Sequence, residues 1–116
     1  MSEDRSILGL EGKVALITGG GAGIGRATAE LFATAGMKVV VAEIDATRVE
    51  DTRAALEKIG GEHLVLQADV CKAEDVKSVV AAVDERHGRL DVLVNNVGDF
   101  LGYKDMFEDS TEEQWD

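Results

Sequence analysis

The chain predicts an α/β fold, a doubly wound parallel sheet whose strands lie in the order 3-2-1-4. Three observations carry that expectation. Strand-like apolar runs and helical periods alternate three times along the chain, the pattern of right-handed βαβ units. A glycine-rich stretch, Thr18-Gly19-Gly20-Gly21-Ala22-Gly23-Ile24-Gly25, joins the first strand pattern to the first helical one. Each helical pattern is followed by glycine, at Gly36, Gly60 and Gly88, the residue best suited to the left-handed turn beyond a helix end.

In order, Lys13 to Thr18 forms a first strand, and its unbroken run Val14-Ala15-Leu16-Ile17 suits burial on both faces. Ile24, Ala27, Leu31 and Ala35 recur at i, i+3, i+7 and i+11, predicting the stripe by which the first helix packs. Val39-Val40-Val41-Ala42 is the second strand, and Thr47 to Ile59 is a second helix packing through Val49, Leu56 and Ile59. His63 to Ala68 forms the third strand. Val76, Val79, Val80 and Val83 mark a third helix that stops at Gly88, and Leu90 to Val94 is the fourth strand. The result is one half of a six- or seven-stranded Rossmann-type sheet.

Size and composition bound the rest. The 116 residues are 45% apolar and contain no proline, which predicts one domain without a linker. Residues 1–9 read as a flexible arm, and 99–116 as a loop leading into a helix. Ser110-Thr111-Glu112-Glu113 is a capping box whose helix has barely begun at Trp115, so the chain is expected to be truncated before a catalytic half. The net charge is −11, and the segment from Asp99 to Asp116 holds seven acids against the single base Lys104. That balance argues against nucleic-acid partners. No apolar run is long enough for a membrane span or a signal peptide, so a cytoplasmic location is expected. The lone Cys71 permits no internal disulfide or CxxC metal pair and reads as a small half-buried residue. His63 and His87 lack ligand partners at metal spacing and read as ordinary residues at element ends.

The chemistry is expected at the glycine turn. Helix N-termini present unpaired N–H groups and the positive end of the dipole, so an anion there is held by main chain, and a dinucleotide diphosphate is the usual occupant. The spacing does not fit G-x-G-x-x-G in any register. It does fit Thr-Gly-x-x-x-Gly-x-Gly, with Thr18, Gly19, Gly23 and Gly25 in place and Gly21 and Ile24 within the same turn. In this form the chain resembles the short-chain dehydrogenase/reductase family. Glu43 closes the second strand twenty residues after Gly23, where dinucleotide folds place an acid for the adenosine ribose hydroxyls. A carboxylate there repels a 2′-phosphate and favours NAD over NADP, whereas Arg26 and Arg48 are the bases that could reverse that preference. Asp45 precedes Ala46-Thr47-Arg48 and is assigned to capping the second helix.

The resemblance implies further roles. Asp69-Val70 matches a family pair bordering the adenine, the carboxylate receiving the exocyclic amine. Asn95-Asn96-Val97-Gly98 looks like the family's Asn-Asn-Ala-Gly, with Val97 in place of alanine, which implies that Asn95, Val97 and Gly98 line the cofactor. Family catalysis uses a Tyr-x-x-x-Lys pair, a serine and an asparagine. The only tyrosine, Tyr103, is followed four residues later by Phe107, so no catalytic residue is assigned and the chain alone is expected not to turn over. The implied parent transfers hydride between nicotinamide and a carbonyl or alcohol substrate. A non-catalytic dinucleotide-binding module, or a redox-sensing subunit completed by a partner chain, is the alternative. The fourth strand, left at a sheet edge, leads us to expect self-association.

Overall fold

In the computed structural model, residues 9–19 and 23–96 are described. The calls on Gly21, Val97, Gly98, Tyr103, Lys104 and the capping box Ser110-Thr111-Glu112-Glu113 lie outside those residues. The described elements run β1 (Val14–Thr18), α1 (Gly23–Thr34), β2 (Lys38–Glu43), α2 (Ala46–Ile59), β3 (Leu64–Gln67), α3 (Ala73–His87) and β4 (Val92–Asn95). The strands form one parallel sheet in the order β3-β2-β1-β4, as the alternation of patterns predicts.

The two central strands are buried on both faces, and their side chains divide by parity. Ala15, Ile17, Val39, Val41 and Val65 point to one face, where α1 and α2 cover them with Ala29, Ala33, Val49 and Leu56. Val14, Leu16, Val40 and Ala42 point to the other, where α3 supplies Val79 and Val83. A continuous valine-rich run is therefore what two-sided burial requires. β4 begins with a two-way clasp on β1. The Asp91 N–H donates to the Val14 carbonyl at 2.9 Å, and the Val14 N–H donates to Asp91 Oδ2 at 2.8 Å.

The helix ends follow their capping chemistry. Beyond α1, Met37 N–H donates to Phe32 O and Gly36 N–H to Ala33 O, a Schellman pair made possible by Gly36 at φ 91°. Asp45 caps α2, its Oδ1 accepting from Arg48 N–H at 3.0 Å.

Three packing expectations are corrected. The stripe Ile24, Ala27 and Leu31 faces outward, with Ile24 79% and Leu31 66% exposed, and Ala35 lies beyond the helix. The buried face of α1 is Gly25, Ala29 and Ala33. Small side chains let the helix axis approach β1 and β2 closely, so the face with the least bulk packs and the bulkier apolar face is left outside. On α2 the inward residues are Val49, Thr52 and Leu56, and Ile59 in the last turn is exposed. On α3, Val79 and Val83 are buried, whereas Val80, one residue round the helix, is 54% exposed. Cys71 is also exposed rather than half-buried, because it sits in the turn before α3.

Candidate functional site

Parallel strands place all their carboxyl ends on one side, and the candidate residues collect there. Thr18 pairs in register with Ala42 of β2 and with Asn95 of β4, while Glu43 pairs with Gln67 of β3. The strand ends are cross-linked by backbone bonds: Gly19 N–H to Ala42 O at 2.8 Å, Ala68 N–H to Glu43 O at 2.9 Å, and Asn96 N–H to Thr18 O at 3.2 Å. Thr18, Gly19, Glu43, Asp69, Val70 and Asn95 are thus brought to one edge, and Gly23, Ile24 and Gly25 open α1 after the turn that leaves it.

Backbone conformation at the turn demands glycine. Gly19 has φ 66° and Gly23 φ 57°, and a Cβ built on Gly23 would meet nothing within 4 Å. Among the described residues, space therefore lies open against the first residue of α1. Electrostatics act in the same direction. The first turn of α1 contains no acidic residue, whereas that of α3 carries Glu74 and Asp75. The N-terminal charge of α3 is answered by its own acids, whereas the first turn of α1 offers none.

Glu43 is only 4% exposed, so it is no solvated loop acid. Its Oε2 accepts from the Asp45 N–H at 3.0 Å, which fixes the carboxylate at the strand end. Asp45 itself is occupied with its cap. Of the two bases near this edge, Arg26 is held by Glu30 through a 2.9 Å ion pair, and Arg48 is exposed on α2.

Asp69 forms an Asx turn in which Oδ1 accepts from Cys71 N–H at 2.9 Å, and its carbonyl accepts from Lys72 N–H at 2.9 Å. The Asp75 carboxylate, in the first turn of α3, accepts from the Asp69 N–H at 2.7 Å. Partial desolvation first, and then the charge and hydrogen bonding of Asp69, raise the Cys71 thiol above its ordinary value.

Thr18 has a structural role beyond its place in the glycine motif. Its hydroxyl donates to Asn95 Oδ1 at 2.9 Å and accepts from Asn96 N–H at 3.3 Å, while Val94 O lies at 3.4 Å. The last side chain of β1 therefore orients the Asn pair that ends β4. A hydroxyl at the end of a buried apolar run is the signal that pointed to it, since buried hydroxyls need partners. Among the described residues no group of three or more His, Cys, Asp or Glu could hold a metal ion, and no helix is long and apolar enough to cross a membrane.

Comparisons with known proteins agree with this geometry. The profile of the short chain dehydrogenase family matches residues 13–116. An oxidoreductase of Thermotoga maritima is 45% identical over 104 residues, covering 90% of this chain and 40% of that protein. The crystal structure of a hydroxysteroid dehydrogenase from Escherichia coli superposes with a TM-score of 0.73 at 37% identity, covering 78% of this chain and 38% of that one. A short chain dehydrogenase/reductase from Burkholderia phymatum, solved in complex with NAD, gives a TM-score of 0.70 at 38% identity, covering 72% of this chain and 30% of that one. The chain therefore spans well under half the length of these relatives. Four parallel strands in the order 3-2-1-4, a glycine turn at the carboxyl edge and a match over nearly its whole length make this chain a member of the short-chain dehydrogenase/reductase family.

Proposed function

We propose that this chain is the dinucleotide-binding portion of an NAD-dependent oxidoreductase. The observation that carries the reading is the convergence of a glycine turn, an acid-free helix N-terminus and a buried, oriented carboxylate at one sheet edge. The residues present fit the cofactor. The open space beside Gly23 would admit a diphosphate against main-chain N–H groups, with Gly19 just after β1 and Ile24 and Gly25 in the first turn of α1, and with Gly21 assigned to the same site from the sequence.

Glu43, at the end of β2, would accept the adenosine ribose hydroxyls. Burial and its bond from Asp45 N–H hold the acid in one place, where its charge opposes a 2′-phosphate. Arg26, engaged by Glu30, is poorly placed to offset that repulsion. Asp69 uses Oδ1 for its own turn, so Oδ2 is the oxygen assigned to the adenine amine, with Val70 beside it. Asn95, oriented by the Thr18 hydroxyl, would line the far side of the cofactor together with Val97 and Gly98.

When bound, NAD supplies the hydride acceptor at the nicotinamide. This chain binds and orients it, and hydride exchange with a carbonyl or alcohol substrate belongs to the complete protein. Isothermal titration of the chain with NAD and with NADP at one salt concentration tests the reading. Tighter binding of NAD is expected. Equal affinity would overturn the role of Glu43, and failure to bind either dinucleotide would overturn the site.

A further inference from the structure

The sheet pairing sets Gln67, a residue with no role in the site as described, beside Glu43. The two are register partners at the ends of β2 and β3, and the bond from Ala68 N–H to Glu43 O at 2.9 Å closes that pairing. By strand alternation both side chains project toward the face that Val41 and Val65 share, the one covered by α1 and α2. Gln67 is exposed on the edge strand, whereas Glu43 is buried.

The two side chains bond to opposite ends of one peptide unit. Gln67 Nε2 donates to the Ile44 carbonyl at 3.1 Å, and the Asp45 N–H, the other end of that unit, donates to Glu43 Oε2 at 3.0 Å. A trans peptide is planar, with its C=O and N–H pointing opposite ways, so a bond that orients one end orients the other. A donor on the carbonyl also polarises the unit and strengthens its N–H. Beyond this unit Asp45 is tied to α2: its carbonyl accepts from Val49 N–H at 3.0 Å, and its Oδ1 accepts from Arg48 N–H at 3.0 Å. Ile44 contributes little anchorage through its side chain, which is 59% exposed. Gln67 ties its carbonyl to β3 instead.

We propose that Gln67 is a positioning residue for dinucleotide discrimination, acting through the Ile44–Asp45 peptide to hold the Glu43 carboxylate where its charge opposes a 2′-phosphate. The inference rests on the role given to Glu43 above. Gln67 makes no contact with the cofactor in this scheme; it narrows the positions open to the acid. A carboxylate that can swing aside yields to a 2′-phosphate, so loosening the peptide lowers the preference for NAD more than it lowers dinucleotide binding as such.

Gln67→Met keeps a long unbranched side chain and removes the donor, at an exposed position where the core is untouched. Isothermal titration of the whole chain with NAD and with NADP, in wild type, Gln67→Met, Glu43→Gln and the double variant, tests the proposal. The preference for NAD is expected to fall by about two- to tenfold in Gln67→Met, the scale of one neutral hydrogen bond, and to show no further fall when Gln67→Met is added to Glu43→Gln. Amide hydrogen exchange without cofactor is expected to show the Asp45 N–H exchanging faster by a similar factor in Gln67→Met. If Glu43→Gln lowers the preference and Gln67→Met does not, the role of Gln67 is overturned and that of Glu43 stands. That holds even if the Asp45 amide exchanges faster, since the bond then serves the loop alone. An equal fall in both backgrounds overturns the route through Glu43. A preference insensitive to Glu43→Gln, or no binding of either dinucleotide, overturns the underlying reading and the proposal with it.

Discussion

Replacing Thr18 by valine removes one hydroxyl and keeps the branched shape, so its effect isolates the bonds that join the ends of β1 and β4. Thr18 is 4% exposed, and three polar groups surround its hydroxyl: Asn95 Oδ1 at 2.9 Å, Asn96 N–H at 3.3 Å and Val94 O at 3.4 Å. Only the first is near the usual O–H···O distance of about 2.7–2.8 Å, so it counts as one full bond and the others as weak ones. A net bond contributes about 0.5–1.5 kcal/mol, and leaving a buried partner unmet costs about 1–3 kcal/mol. The Asn95 side chain is exposed and recovers part of its loss from water, whereas Asn96 N–H retains the Thr18 carbonyl at 3.2 Å. Destabilisation of about 1–2 kcal/mol is therefore expected.

Urea denaturation followed by circular dichroism measures that difference, with Thr18→Ser as the control that restores the hydroxyl. In the valine variant Asn95 also loses its fixed orientation, so NAD affinity should fall by more than in the serine variant. A valine variant as stable as wild type, with unchanged NAD affinity, would refute the cross-strand role of the hydroxyl.

Other perturbations test the remaining parts. Glu43→Gln keeps the size of the side chain and removes its charge; titration calorimetry should show NAD weakened by about tenfold or more, the scale of a charged hydrogen bond, and the NAD-to-NADP preference reduced. Leu56→Ala, at 1% exposure beneath α2, should destabilise the fold by about 2–5 kcal/mol in denaturant titration. Asp91 is held below the ordinary carboxylate range first by its bond from Arg89 and then by the Val14 N–H, so its stabilising effect is present above the unfolded value of about 3.9 and is lost as pH falls through the lower folded value. Acid melts of Asp91→Asn should lack that component. Val80→Lys and Leu90→Lys replace exposed apolar side chains beside β4, and sizing chromatography should show less self-association than in wild type.

The strand order was legible because each strand is a compact apolar run bounded by glycine or polar residues, and βαβ handedness leaves few ways to arrange four of them. The placement of the candidate residues was legible for a related reason: parallel strands carry their C-terminal residues to one edge, so Thr18, Glu43, Asp69 and Asn95 come to the same side of the sheet although they lie far apart in sequence. The packing face of α1 was not legible. Periodicity weighs Ile24 and Leu31 above Gly25, Ala29 and Ala33, but helix-to-sheet distance is decided by the smallest side chains, not the most apolar. Hydrogen bonds that depend on tertiary placement, such as Val14 to Asp91 or Val39 to His63, leave no trace in a local pattern.

The two edges of the sheet differ in a way that bears on association. β3 is an edge strand, yet Arg53 of α2, itself paired with Glu50, donates to the Val65 carbonyl at 2.8 Å. One outward carbonyl of that edge is thus already engaged. Among the described residues β4 pairs only with β1, and Val92, Leu93 and Val94 are half-buried. An apolar groove of about 180 Å³ lies between Leu16 of β1, Val80 and Val83 of α3, and Leu90 in the segment leading into β4. Among the described residues, an outer strand edge without a paired strand and uncovered apolar surface occur together on the β4 side. Self-association is therefore expected to use the β4 side before the β3 side, which the lysine variants above test.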